Sequence, residues 1–145
     1  MTKKRLYSNN KTAKHSNNQN LEVNADAVKV LRTVGDQEAF YFYEAIGKPT
    51  GETAKNLNDF RNKVKTVKTE SLKFHLQRKD FQNWVAKILG DAKLARELGR
   101  IPESNTNDAR MIIAETVENR IKELKDSSIA AGLTVADNSV VVSAS

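Results

Sequence analysis

The chain has 145 residues, a formal net charge of +6 and no cysteine. This length suits one domain with its own hydrophobic core, and the lack of cysteine excludes disulfides, thiolate zinc sites, iron–sulfur clusters and cysteine nucleophiles. No apolar run approaches the ~20 residues that a membrane-spanning helix needs, and no apolar signal-peptide core follows the first basic cluster. We therefore expect a soluble cytoplasmic protein without a membrane partner.

Residues 1–20 carry most of the net charge. Five basic and no acidic side chains lie there, which leaves 19 basic and 18 acidic side chains for the rest of the chain. The segment is otherwise rich in Asn and Ser, so it cannot bury enough apolar surface to offset the entropy lost on ordering. We predict a disordered basic arm. Its basic residues are Lys3, Lys4, Arg5, Lys11 and Lys14.

Residues 21–37 follow as a short helix or linker, because their apolar side chains fall on one helical stripe and Asn24 can act as the N-cap. Residues 39–43 then form a dense aromatic run, AFYFY. Its rings cannot all face the same side of a helix or a strand. We expect the run to be sandwiched inside the domain or to lie partly at an interface.

A break at Gly47, Pro49 and Gly51 separates this run from the next helix, which Thr50 or Thr53 can cap. That helix carries apolar residues at spacings of three and four, and a further helix is predicted from Thr69 to Arg78. Asp80 can cap the helix that Gly90 ends, and Asp91 can cap the following one. The apolar stripes on these helices consist of Leu57, Phe60, Val64 and Val67; Phe81, Trp84, Val85, Ile88 and Leu89; and Leu94, Ala95 and Leu98.

A long last helix is predicted from about Thr106 to Asp126. Together these patterns predict an all-α fold, a compact bundle of four to five short helices over residues 38–126. The predicted core consists of Phe60, Val64, Phe74, Phe81, Trp84, Ile88, Leu94, Leu98, Ile113, Val117 and Ile121.

Residues 127–145 lose almost all charge. We predict a flexible tail, since an isolated hairpin is marginal in water. The alternative is that the apolar runs on either side of Asp137 and Asn138 form a hairpin, or an edge strand that adds to a partner's sheet.

The segments FYFYEAIGKPTG (residues 40–51), SLKFH (71–75), RKDFQNW (78–84) and LGDAKLAREL (89–98) give a pattern that resembles an uncharacterised family of small helical domains found in archaea and bacteria. This resemblance covers residues 40–101. It implies no particular activity, because none is assigned to that family. Such domains occur alone or attached to larger carbohydrate- or phosphate-metabolising proteins. It implies an accessory module.

One cluster of residues could carry chemistry, namely Ser71, His75, Arg78, Asp80 and Trp84. Ser71, His75 and Arg78 share a helical stripe that also includes Phe74, and Asp80 follows, so a Ser/His/Asp grouping is a hypothesis for a minor hydrolase centred on His75. Spacing alone supplies neither the nucleophile–base contact nor an oxyanion site. A structural role is favoured instead, with Asp80 as a cap, His75 at the edge of the core and Trp84 packed inside. No metal site or cofactor is expected, because no pair of ligands stands at i and i+4.

A second group of residues could contact phosphates. Residues 55–79 hold eight basic and two acidic side chains, and a disordered basic arm can bind nucleic acid without sequence preference. The domain residues concerned are Lys63, Lys65, Lys68 and Lys79. Since no recognition motif is present, we favour a non-enzymatic protein-interaction or regulatory module whose partner is another protein. A nucleic-acid-associated protein is the alternative.

Overall fold

The computed structural model describes residues 26–130, 133–136 and 139–142. Within these ranges the fold is mixed α/β, with six helices and antiparallel two-stranded sheets, so the all-α prediction is wrong. The elements in chain order are α1 (26–31), β1 (Phe40–Ala45), β2 (Lys48–Ala54), α2 (Leu57–Thr66), α3 (Thr69–Arg78), α4 (Asp80–Trp84) with a π-helical continuation (Val85–Leu89), α5 (Ala92–Gly99), α6 (Thr106–Ala130), β3 (Leu133–Ala136) and β4 (Ser139–Val142). None of the helices described is long and apolar enough to cross a membrane.

The error in fold class lies in residues 40–54, where β1 and β2 form a hairpin. Phe40 and Phe42 are buried while Tyr41 is exposed, so the aromatic run follows the two-residue period of a strand. Gly47 and Gly51 have φ angles of +71° and +90°, a region that favours glycine in tight turns and bulges. The break predicted at these glycines is therefore the turn and bulge of a hairpin.

The capping prediction for α2 also fails. Thr50 and Thr53 lie in β2, and the Thr50 hydroxyl donates a hydrogen bond to the carbonyl of Phe42 across the hairpin. The N-cap of α2 is Asn56, whose side-chain oxygen accepts from the backbone N–H of Asp59. Two residues, Lys55 and Asn56, thus separate the end of the hairpin from the start of α2.

Other helix boundaries confirm the sequence analysis. α3 runs from Thr69 to Arg78 as predicted, Gly90 ends the π-helical segment with φ +82°, and Asp91 caps α5 by accepting from the backbone N–H of Leu94. The carboxylate of the buried Asp91 also accepts two hydrogen bonds from Arg120, at 2.7 and 3.1 Å. This bidentate ion pair fastens α6 to the start of α5.

The C-terminal part of the chain differs from the predicted tail. α6 continues to Ala130, and β3 pairs antiparallel with β4, with Leu133 opposite Val142. β3 also lies against α6. The structure therefore corresponds to the hairpin alternative for this segment, in which the strands have a helix beside them and are not isolated.

The hydrophobic core is built around an aromatic cluster supplied by the hairpin, α2 and α4. The ring centroids of neighbouring members of this cluster lie 4.8–6.3 Å apart, and the closest pair is Phe40 and Phe42. The members are Phe40, Phe42, Phe60, Phe81 and Trp84. Aromatic pairs at such separations add to the stabilisation that burial alone gives.

Most of the predicted core is buried, with two exceptions. Ile88 and Phe74 are only partly buried, and Phe74 lines a surface cleft. α1 adds apolar side chains that the prediction left out, since Ala27, Val30 and Leu31 are buried in the same core. The packed unit therefore begins before residue 38.

Trp84→Ala should lower the free energy of unfolding by about 3–5 kcal/mol, because it leaves a cavity beside the rings of Phe40 and Phe60. Trp84→Phe keeps a ring but loses the hydrogen bond from the indole N–H to the carbonyl of Glu38, and should cost roughly 1–3 kcal/mol. Urea unfolding followed by far-UV circular dichroism measures both changes. An alanine variant as stable as the wild type would contradict the packing of Trp84 in the core.

Candidate functional site

His75 links the hairpin to α3. Its side chain is 4% exposed, and both ring nitrogens have partners. The backbone N–H of Tyr43 in β1 donates to Nε2 at 2.9 Å, and Nδ1 lies 2.8 Å from Oδ2 of Asp80. His75 therefore joins a strand edge, a helix and the first residue of α4 in one hydrogen-bond chain.

These partners assign the tautomer of His75. Because a backbone N–H can only donate, Nε2 must accept and so carries no proton. The proton lies on Nδ1, which donates to the Asp80 carboxylate. A neutral imidazole is the state that fits this arrangement.

The surroundings of His75 also favour the neutral ring. Ring centroids of Phe40, Phe42, Phe74 and Phe81 lie 4.8–6.0 Å from that of the imidazole. Burial among them lowers the pKa of His75 below its usual 6.5, and this effect outweighs the opposing attraction of Asp80.

Asp80 is not the helix cap that the sequence predicts. No side chain caps α4; the carboxylate of Asp80 instead turns back to accept from His75 Nδ1 and, at 2.9 Å, from Nε of Arg78. The intervening Lys79 makes this possible by adopting a left-handed conformation with φ +63°. Such a conformation is uncommon for a residue with a β-carbon.

A solvent-open cleft of about 340 Å³ lies beside this network, between the tip of the β1–β2 hairpin and α3. We call it the hairpin cleft. Its lining consists of Ala39, Phe40, Tyr41, Tyr43, Ile46, Gly47, Phe74, His75, Arg78 and Asp80. At its mouth Ile46 is 78% exposed, which is the greatest exposure of any large apolar residue described. The cleft thus combines aromatic and aliphatic walls with a polar rim.

The structure brings together three of the five predicted cluster residues, His75, Arg78 and Asp80. Ser71 does not join them: its hydroxyl is buried and has no hydrogen-bond partner, so the contact between nucleophile and base that a hydrolase needs is not formed. Trp84 is also separate, since its ring lies in the core. Both nitrogens of His75 are already occupied, which leaves neither free to take a proton from a substrate.

Of the four domain lysines predicted to contact phosphates, two form ion pairs with residues that the structure describes and two do not. Lys63 forms an ion pair with Glu52 at 2.6 Å, and Lys68 forms one with Glu44 at 3.1 Å. Within the described ranges Lys65 and Lys79 have no ion-pair partner. The arm residues Lys3, Lys4, Arg5, Lys11 and Lys14 lie outside the described residues.

Sequence reasoning placed Tyr41 and Tyr43 in an aromatic run that could lie partly at an interface, but it missed Ile46 and Phe74 as residues of the cleft wall. The signal for Ile46 was available in part, because alternation across residues 40–43 followed by a glycine turn is typical of a hairpin. Phe74 gave no such signal, since it lies on the same helical stripe as the buried His75.

A second cleft, of about 590 Å³, runs along α6 beside the exposed Met111. Two of its polar side chains already stabilise the fold: Arg110 donates to the carbonyls of Val64 and Val67 at the end of α2, and Glu118 lies 3.7 Å from Arg61. We therefore treat the hairpin cleft as the candidate site.

The chain matches none of the protein-family models, and no curated protein or solved structure is similar enough to count as a match. The resemblance expected from residues 40–101 stays a prediction. Across the described part of the chain, no three His, Asp or Glu side chains are grouped as a metal site would require. The function must therefore be argued from the cleft itself.

Lys79→Gly should raise the free energy of unfolding by about 1 kcal/mol, because glycine adopts the left-handed conformation without the steric penalty of a β-carbon. The matched control is Lys73→Gly in the middle of α3, which should lower it by about 1 kcal/mol. Urea unfolding curves measure both. Equal destabilisation by the two substitutions would show that residue 79 carries no backbone strain.

The stability of the protein should depend on pH through His75. The pKa of His75 is lowered in the folded state. Its contribution to the free energy of unfolding is therefore present above pH 6.5 and is lost as the pH falls from 6.5 through the lowered pKa. Between pH 7.5 and 5 the wild type should lose more unfolding free energy than His75→Gln, which cannot titrate. His15→Gln is the control and should keep the wild-type slope. Parallel slopes for wild type and His75→Gln would contradict the neutral assignment.

Proposed function

We propose that this chain is a small non-enzymatic interaction module of the cytoplasm, which binds a segment of another protein in the hairpin cleft. The observation that carries the proposal is the exposure of Ile46 at the mouth of a cleft with aromatic walls. Exposed apolar side chains are common singly, but here Ile46, Tyr41 and Phe74 line one concave surface.

The composition of the cleft supports binding of a protein segment. Apolar and aromatic side chains form the walls and a few polar groups stand at the rim, the arrangement usual for recognition sites. The volume of about 340 Å³ lies near the lower end of the range for ligand pockets, which suits one or two side chains of a partner.

The rigidity of the cleft supports the same proposal. The hairpin is tied to α3 by the bond between Tyr43 and His75, and the Tyr41 hydroxyl donates to the carbonyl of Asp36. A wall fixed before binding loses little conformational entropy when a partner arrives.

The proposal predicts that the cleft selects peptides. A random 12-residue peptide library displayed on phage, selected on the full-length chain, should yield sequences sharing a large apolar residue. Ile46→Asp should weaken their binding roughly tenfold, because it places a charge in an apolar contact. Met111→Asp, in the second cleft, is the matched control and should leave binding unchanged.

Two results would contradict the proposal. One is that no peptide is enriched above background. The other is that the enriched peptides bind wild type and Ile46→Asp equally, or lose affinity only on Met111→Asp, which would move the binding site to α6.

A further inference from the structure

We infer that the hairpin cleft recognises a carboxylate carried next to a large apolar side chain, and that Arg78 binds the carboxylate. The inference rests on the proposed function and names the chemistry of the segment bound. It is carried by the geometry of one guanidinium group.

Arg78 is held in place on two sides. Its Nε donates to Asp80, and its guanidinium carbon lies 5.0 Å from the centroid of the Phe74 ring. Both contacts restrain the plane of the guanidinium, so little side-chain entropy remains to be lost when a ligand binds. Arg78 is nevertheless half exposed and lines the cleft.

The terminal nitrogens Nη1 and Nη2 of Arg78 have no hydrogen-bond partner among the residues the structure describes. These two nitrogens carry four N–H donors in a planar fork, the arrangement that matches the two oxygens of a carboxylate. Lysine would not present this fork. The unoccupied half of Arg78 is therefore an anion-binding group fixed at the edge of an apolar cleft.

The local charges leave room for an anion. His75 and Arg78 both donate to the Asp80 carboxylate, and Lys79, which lies between Arg78 and Asp80 in sequence, is exposed and has no ion-pair partner in the described part of the chain. Nearby Glu44 is offset by Lys68, at 3.1 Å, and by Lys48, at 3.7 Å. Asp80 balances the charge of Arg78 itself, but the lysines beside the cleft outnumber Glu44, so the surroundings of the cleft carry excess positive charge.

A carboxylate fits the cleft better than a phosphate. Arg78 is the only cationic side chain among the lining residues described, and a dianionic phosphate is usually held by several cations or backbone donors. The adjoining walls from Ile46, Tyr43 and Phe74 take an apolar group within a few ångströms of the guanidinium. The segment expected in the cleft therefore has an acidic group beside a leucine-like or aromatic side chain.

Four fragments test the inference: N-acetyl-leucine and N-acetyl-phenylalanine as carboxylates, and the neutral amide of each. Titration of the isotope-labelled full-length chain at pH 7, followed by shifts of the Tyr43 and Gly47 amides and of the Arg78 Nε–H, should give carboxylates roughly tenfold tighter than amides. Arg78→Gln should abolish this preference, so that each carboxylate binds no tighter than its amide. Arg78→Lys should keep only part of it.

Arg96→Gln removes an exposed arginine of α5 outside the cleft and should leave the preference intact. Equal binding of carboxylates and amides to the wild type, or a preference that survives Arg78→Gln, would overturn the inference while leaving the apolar cleft as a protein-binding site. If no fragment shifts the cleft resonances, the inference fails, and the peptide selection decides the proposed function independently.

Discussion

The rest of the structure depends on the hydrogen bond from the backbone N–H of Tyr43 to His75. A two-stranded hairpin leaves one edge of each strand unpaired, and a buried backbone donor without an acceptor is costly. His75 supplies that acceptor from α3, so β1 is held against the helical layer by a side chain instead of a third strand. The same bond requires a neutral imidazole, which the aromatic surroundings favour.

The features of the candidate site follow from this bond. His75 can offer Nε2 to the strand only if its proton stays on Nδ1, and Asp80 holds the proton there. The left-handed conformation of Lys79 lets the Asp80 carboxylate turn back towards His75. The same carboxylate also accepts a hydrogen bond from Nε of Arg78. The hydrogen bond to Asp80 thereby fixes the Nε side of the Arg78 guanidinium, and its Nη1 and Nη2 stay available at the cleft. The contact that stabilises the fold and the proposed recognition site use the same three residues.

Much of the helical part could be predicted from local chemistry. The bounds of α3, the glycine that ends the π-helical segment and the capping role of Asp91 each depend on residues close in sequence, so a single pattern determines them. The hairpin was missed, because an aromatic run such as residues 39–43 also fits a packed interior segment and the glycines after it also fit a break before a helix. Phe74 was placed in the core because a helical stripe does not show where the core ends.

The sequence by itself determined the bounds of α3, the glycine that ends the π-helical segment and the cap of α5, since apolar period, caps and glycine positions are local. It also placed His75, Arg78 and Asp80 within reach of one another. Only the tertiary structure decided what they do. The partner of His75 comes from β1, 32 residues away in the chain, and no local pattern indicates that a strand edge will need an acceptor there. The cleft exists because elements distant in sequence meet, which is a property of packing and not of any one segment.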